Sequence, residues 1–453
     1  MDALTQLLVK YKESENVLQI AEKLQSGGNA VRLQLGGVIG SLDAFIIAGV
    51  FLNVKHFHLV VAADREEAAY LQNDLENLLA QFSILFLPDS FKRPSNFEAI
   101  NSQNVLQRTE FINNLRQLDA DGGIAVTYPE ALFEKVVEPK QLESKRIEIM
   151  KGSDLDVKFL REVLVEYGFE SLDFVYEPGQ FSIRGFIIDV FSYGNDLPYR
   201  IELDDIQVES IRTFNPDTQL SEQNLSRLSI VPNINKKFDR TEKVSLFQVL
   251  PKKTNIWMRD AQLVQDKLQL CFEAAEKFRE SVSFDTDEQL KEIFKEYAFI
   301  QPFEVFNDIQ NYNTIVLNGN SQSIAPFAND IIQKITFNST HQPTINKNFK
   351  FLIQKFSEND NLKYKNYLFS DNERQTQRLF SIFRDLNASV KVEPIIKALR
   401  GGFIDNDLKL ACFTDHQIFE RYHKFKLKQG FSREQTITLK ALRELQPGDY
   451  VTH

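Results

Sequence analysis

Leu33-Gln34-Leu35-Gly36-Gly37-Val38-Ile39-Gly40-Ser41-Leu42-Asp43-Ala44-Phe45 reads as a strand that ends in glycines and a helix that begins a few residues later. Strand, glycine turn and helix in that order open an α/β unit. The residues on either side repeat the alternation. Upstream, residues 4–25 place apolar positions at helical spacing. Downstream come a strand over 57–61 that ends in Ala-Ala-Asp, then an amphipathic helix over 65–82 with Ala69, Leu71, Leu75, Leu78 and Leu79 inward. A strand over 83–87 stops at Pro88. Residues 89–100 read as loop, 102–118 as helix and 123–127 as strand. Strands alternating with helices predict a parallel sheet covered on both faces.

The glycine turn stands where such folds hold phosphate. A working phosphate loop reads GxxxxGK[ST]: its amides cradle the phosphates, its lysine reaches the β- and γ-phosphates, and its hydroxyl holds Mg²⁺. Gly37, Gly40 and Ser41 match the turn, but Leu42, Asp43 and Ala44 follow. A carboxylate at Asp43 facing a phosphate at ~4 Å repels it by roughly 1 to 4 kcal/mol across water-like to surface-like dielectrics. Ala44 offers no metal ligand. Two readings are open on these residues alone: a nucleotide loop that has lost its chemistry, or a glycine turn that never had any.

Near residue 145 the pattern changes. Ser153 reads as an N-cap with Asp156 three residues on. Leu155, Phe159, Leu160, Val163 and Leu164 form an apolar stripe, and Gly168 closes the helix. Short strands follow over 173–176, 181–183, 186–191, 199–203 and 207–214, which predicts a small α+β domain. From 233 to 335 helix and strand signals mix again, with a buried strand at 255–258 and a helix at 261–281. A polar linker from Thr336 leads into another α/β unit that ends near 420. Residues 421–445 read as a basic, exposed linker, and 446–453 as the first strand of a further domain.

The 43% hydrophobic and 26% charged content over 453 residues is that of a soluble globular chain of about three domains. No apolar run approaches the ~20 residues that span a bilayer. Cys271 and Cys412 form no CxxC pair, so neither a zinc site nor a disulfide framework is expected, and a cytoplasmic location is. With 63 acidic against 53 basic residues the net charge is −10, which disfavours autonomous binding to a phosphate backbone. Among the histidines and acidic pairs, His56, His58, His416, His423, Asp204-Asp205 and Asp405/Asp407 suggest sheet positions and solvated faces, and no catalytic residue is assigned.

The densest signal is 176–219, YEPGQFSIRGFIIDVFSYGNDLPYRIELDDIQVESIRTFNPDTQ. It resembles the motif shared by UvrB and the transcription-repair coupling factors, through Glu177-Pro178-Gly179, Phe181, Arg184-Gly185, Asp189-Val190-Phe191, Tyr199-Arg200-Ile201-Glu202 and Ile211-Arg212-Thr213-Phe214. Arg400-Gly401-Gly402-Phe403 and the closing LQPGDYVTH are similar to segments at the border of the polymerase-interacting domain in the coupling factors. The resemblance favours the lost-nucleotide reading of the glycine loop.

It also implies an architecture: a degenerate RecA/UvrB-like domain 1 in two parts, 1–145 and 233–335, an inserted UvrA-docking domain 2 at 146–232, and a separate small domain 3 at 336–420. The partners it implies are UvrA, with RNA polymerase and DNA through the parent protein, and a C-terminal domain that masks the docking face. ATP and Mg²⁺ are implied for the parent protein and no cofactor for this segment. The alternatives are a UvrB-like helicase, which the absent lysine and the absent DExH-type box oppose, and a weak DNA-binding module. The family's two docking arginines correspond to Arg184 and Arg200, while its nearby aromatic pair is replaced by Leu203-Asp204. The plainer reading pairs each arginine with Asp189, Glu202 or another local carboxylate. Docking arginines on an exposed face predict that Arg184→Glu with Arg200→Glu abolishes UvrA binding and leaves thermal stability nearly unchanged.

Overall fold

The computed structural model describes residues 2–26, 30–93, 96–115, 122–140, 145–193, 197–231, 243–281, 298–318, 322–327, 330 and 332–421. The expected segments at 422–445 and 446–453 lie outside them. The chain divides into a unit made of Met1–Ser144 with Ile234–Phe425, and a second unit over Lys145–Asn233.

In the larger unit seven parallel strands make one sheet. Their order is Ile332–Thr336, Arg32–Gly36, Asn313–Leu317, Thr254–Met258, Phe57–Val61, Gly123–Thr127 and Ile84–Phe86. The first strand thus lies between two strands from beyond residue 312, so both parts expected of domain 1 build a single sheet. Every residue of Phe57–Val61, Gly123–Thr127 and Thr254–Met258 is buried. That explains their mostly apolar composition, broken only by buried His58, Thr127, Thr254 and Asn255, because a central parallel strand is covered on both faces. Helices Leu42–Asn53, Arg65–Leu78 and Ala261–Ser281 follow their strands as expected.

Two local readings change. The helix expected over 4–25 is two, Ala3–Lys12 and Glu15–Gln25. Ser14 ends the first by sending both its amide and its hydroxyl back to the Tyr11 carbonyl, at 3.1 and 2.8 Å; serine competes with the helix ladder in this way. The loop expected over 89–100 contains an antiparallel ladder of Phe91–Arg93 with Asn96–Ile100. Phe91 and Phe97 meet edge to face at 4.9 Å, a contact that the polar residues around them conceal in the sequence.

A five-stranded mixed sheet runs Ser339–His341, Phe403–Asp405, Leu410–Thr414, Lys365–Phe369 and Glu393–Ile395. Its first strand lies inside the stretch read as linker. Alternation splits its residues between two cores. Leu368, Ala411 and Phe413 pack with Leu352, Phe356 and Phe383. Tyr367, Phe369, Phe403, Leu410 and Cys412 join the core of the seven-stranded sheet, where Phe45 lies 5.5 Å from Phe403 and 6.2 Å from Phe369. Residues 336–420 therefore have a sheet of their own and share a core with the first.

The smaller unit is a six-stranded sheet in the order Ser221–Leu225, Gln207–Phe214, Tyr199–Asp204, Ile187–Val190, Gln180–Arg184 and Glu170–Ser171. All neighbours are antiparallel except the last pair. Helix Val157–Glu166 and a ladder of Ile147–Met150 with Arg227–Ile230 complete it. Asp156, not Ser153, caps the helix: its carboxylate accepts from the amides of Lys158 and Phe159, while the Ser153 hydroxyl turns to the Met150 carbonyl. Leu160 and Leu164 are buried, but Phe159 points outward at 65% exposure. Gly168, at φ +83°, ends the helix as read. The Gly168 and Phe169 amides bond the Val165 and Leu164 carbonyls, the pair of contacts of a Schellman motif. The strand expected at 173–176 is instead Glu170–Ser171.

Candidate functional site

The glycine loop is filled by the chain itself. Gly37 and Gly40 have φ of +70° and +58°, which only glycine adopts cheaply. Arg400-Gly401-Gly402 lies against them. The Ser41 amide donates to the Gly401 carbonyl at 2.9 Å, and the Gly401 amide to the Ser41 hydroxyl at 3.0 Å. A Cβ on Gly40 would stand 2.7 Å from the Gly402 carbonyl oxygen. The Ser41 hydroxyl in turn donates to buried Asp74 at 2.6 Å, and Asp74 also accepts from the Arg400 amide at 2.8 Å.

Asp43 is buried and fully paired, which changes the charge argument made from sequence. Arg400 Nη2 donates to both of its oxygens at 2.9 and 2.6 Å, and also to the Gly40 carbonyl at 3.0 Å. Arg259 adds a contact at 3.0 Å and bridges on to Glu67. The loop is thus closed by a guanidinium and two glycine peptides rather than by a bare repelling carboxylate. Burial pulls the Arg400 guanidinium down, but the charges of Asp43 and Asp74 more than offset this and raise its pKa. Burial pushes Asp74 up to about 7 against the opposing pull of Arg400 and Ser41.

In the smaller unit the period of two sorts the sheet into faces. Cross-strand register aligns Ser182 with Asp189, Asp189 with Arg200, and Arg200 with Arg212. Arg184 and Glu202, each opposite Ile187, share that polar face. Asp189 is fully buried and receives both arginines. Arg200 meets it side-on, Nε to Oδ1 at 2.7 Å and Nη2 to Oδ2 at 2.9 Å. Arg184 Nη2 donates to Oδ2 at 2.6 Å and Nη1 to the Asp173 carbonyl at 3.0 Å. Each guanidinium also covers an aromatic ring, Arg184 over Phe174 at 4.7 Å and Arg200 over Phe214 at 4.4 Å. The hydrogen bond to Asp189 raises the Arg200 pKa. Glu202 is taken by Arg212 and by the Ser210 hydroxyl.

The structure therefore brings Arg184 and Arg200 together on one carboxylate, as the plainer reading held. It overturns the expectation that reversing both charges leaves stability unchanged, because Asp189 would be left buried among carboxylates. Leu203 is buried and Asp204 exposed, so neither replaces the family's aromatic. Sequence reasoning missed Phe174 beneath Arg184 and exposed Phe186 beside it. Among the described residues no helix is long and apolar enough to cross a membrane, and no cluster of His, Cys, Asp and Glu could hold a metal.

Residues 147–235 match the UvrB interaction domain. Over 98% of its length the chain is 24% identical to a transcription-repair-coupling factor of Bacillus subtilis, of which it covers 42%. It is 28% identical to the Haemophilus influenzae protein of that name over 44% of this chain and 17% of that one. With the Borreliella burgdorferi protein of that name it is 24% identical over 67% of this chain and 25% of that one. The chain spans less than half the length of these relatives. The resemblance read from 176–219 is thus borne out, and the matched domain contains both arginines.

Proposed function

We propose that this chain is the UvrA-docking part of a transcription-repair coupling factor, and that it recruits UvrA where RNA polymerase has stalled. Polymerase binding and ATP-driven translocation on DNA would belong to other parts of the cytoplasmic parent protein. The observation that carries this reading is the match of 147–235 to the UvrB interaction domain, with Arg184 and Arg200 fixed on its polar sheet face. Arginine is the residue for such a role, since its planar donors serve several acceptors at once and it is enriched in interface hot spots.

Surface plasmon resonance with immobilised chain and purified UvrA tests it. Arg184→Ala leaves the side-on pair of Arg200 with Asp189 intact, so the fold is retained while affinity falls about tenfold or more. Unchanged affinity in Arg184→Ala would sink the assignment of that residue.

The same reading makes the glycine loop silent. The Ser41 amide, which a bound phosphate would need as a donor, is taken by the Gly401 carbonyl, and Asp43 is committed to Arg400 and Arg259. Titration of the chain with ATP and Mg²⁺ should give no binding heat. Micromolar affinity would favour a UvrB-like nucleotide-binding helicase instead.

A further inference from the structure

Two hairpins in the smaller unit turn at the same end of the sheet. Gly185-Phe186 joins Gln180–Arg184 to Ile187–Val190, and Asp205-Ile206 joins Tyr199–Asp204 to Gln207–Phe214. The first residue of each turn has positive φ, +61° at Gly185 and +56° at Asp205, as two-residue hairpins require. The second residue is where such turns take a polar side chain at no cost. Here it is phenylalanine and isoleucine, 63% and 55% exposed.

Both turns are held in place. The Leu203 amide donates to the Phe186 carbonyl at 2.9 Å, and the Leu155 amide to the Ile206 carbonyl at 2.8 Å. A lone exposed apolar residue needs no explanation. Two on adjoining rigid turns, one of them two residues after Arg184, form a feature that the fold itself does not reward. The place matters as well: Phe186 is bonded across the ladder to Leu203, on the strand that carries Arg200.

We propose that Phe186 and Ile206 form the apolar half of the docking surface and enter an apolar recess of UvrA next to the carboxylates that receive Arg184. This rests on the UvrA reading above. Asp204 and Asp205, both exposed, flank the turn that presents Ile206 and fit a cation on the partner's rim. Because the turns are fixed before binding, little conformational freedom is lost on docking, and removing an anchor acts mainly on dissociation.

The test is UvrA binding by surface plasmon resonance to the full chain carrying Phe186→Ala, Ile206→Ser or Phe186→Tyr, with thermal melts alongside. Phe186→Ala should bind at least fivefold more weakly through faster dissociation, Ile206→Ser should weaken in the same direction, and Phe186→Tyr should bind like the parent. Melting temperatures should not fall, since both side chains are exposed. If Phe186→Ala does melt lower, Ile206→Ser decides in its place. A loss under threefold in the deciding variant, while Arg184→Ala loses tenfold, overturns the apolar half and leaves the docking reading standing. Absence of UvrA binding by the parent chain overturns both.

Discussion

Asp189 sets what each arginine is free to do. Four contacts engage the Arg200 guanidinium, two to Asp189 and two to Gln219, and its side chain is 16% exposed. Arg184 gives one donor to Asp189 and one to Asp173, and remains 34% exposed. Arg184 is therefore the more available of the two for a partner, and Arg200 the residue that holds the buried carboxylate. Arg200→Ala should cost on the order of 2–4 kcal/mol in urea denaturation, the penalty of breaking a buried ion pair, moderated because Arg184 stays. Arg184→Ala should cost clearly less, and equal losses would contradict the division. From sequence both arginines were legible, but their partner was not: Asp189 and Glu202 were equally placed until the register set Asp189 opposite Arg200. Asp74 allows a second test at this scale. Its folded pKa, about 7, lies above the ordinary carboxylate value. Its contribution to stability is therefore fully present below the unfolded value near 3.8 and is lost as pH rises through about 7. From pH 5 to 8 the urea midpoint of the parent chain should fall relative to Asp74→Asn, which has no group to titrate there. Parallel profiles would show that Asp74 ionises normally.

At the scale of elements, strands covered on both faces were the most legible, since burial on both sides favours a short, mostly apolar run. Phe57–Val61 and Gly123–Thr127 were read with the bounds they have. Elements carried by one or two aromatic contacts among polar neighbours, such as the ladder at 91–100, leave no such trace. The closure of the glycine loop was illegible for another reason. Asp43 and Arg400 are 357 residues apart, and no local rule joins them. That joint makes a strong prediction. Asp43→Ala leaves a buried guanidinium short of its counter-charge and should cost about 3 kcal/mol; Arg400→Ala should cost a similar amount. The double variant should cost less than their sum by roughly 1 kcal/mol or more, as for residues in direct contact. Additive losses would mean that the loop and the Gly401 segment are not energetically joined. Gly40→Ala should be at least as damaging, because positive φ and the nearby Gly402 carbonyl both oppose a Cβ.

For the whole molecule, the order of segments carries the meaning. The seven-stranded sheet is interrupted in sequence by Lys145–Asn233, and strands from both sides of the interruption complete it. Such an insertion is tolerated when its two ends lie side by side. In the smaller unit Ile147–Met150 pairs antiparallel with Arg227–Ile230, and in the larger unit Val136–Val137 pairs with Lys243–Val244. Each unit thus closes on its own ladder. The smaller one also buries its own apolar side chains, among them Leu160, Leu164, Phe181, Ile188, Val190, Ile201 and Ile211. A segment of somewhat under ~100 residues with one sheet and one helix is large enough to fold alone, though with little margin. Excised as Lys145–Asn233, it should unfold in one cooperative transition by calorimetry and bind UvrA with the affinity of the whole chain. Joining 144 to 234 through a short glycine-serine linker should leave a soluble remainder that melts cooperatively and does not bind UvrA. If the excised segment is unfolded, the units depend on each other for stability. If the remainder binds UvrA, the docking function does not reside in the segment that contains Arg184 and Arg200.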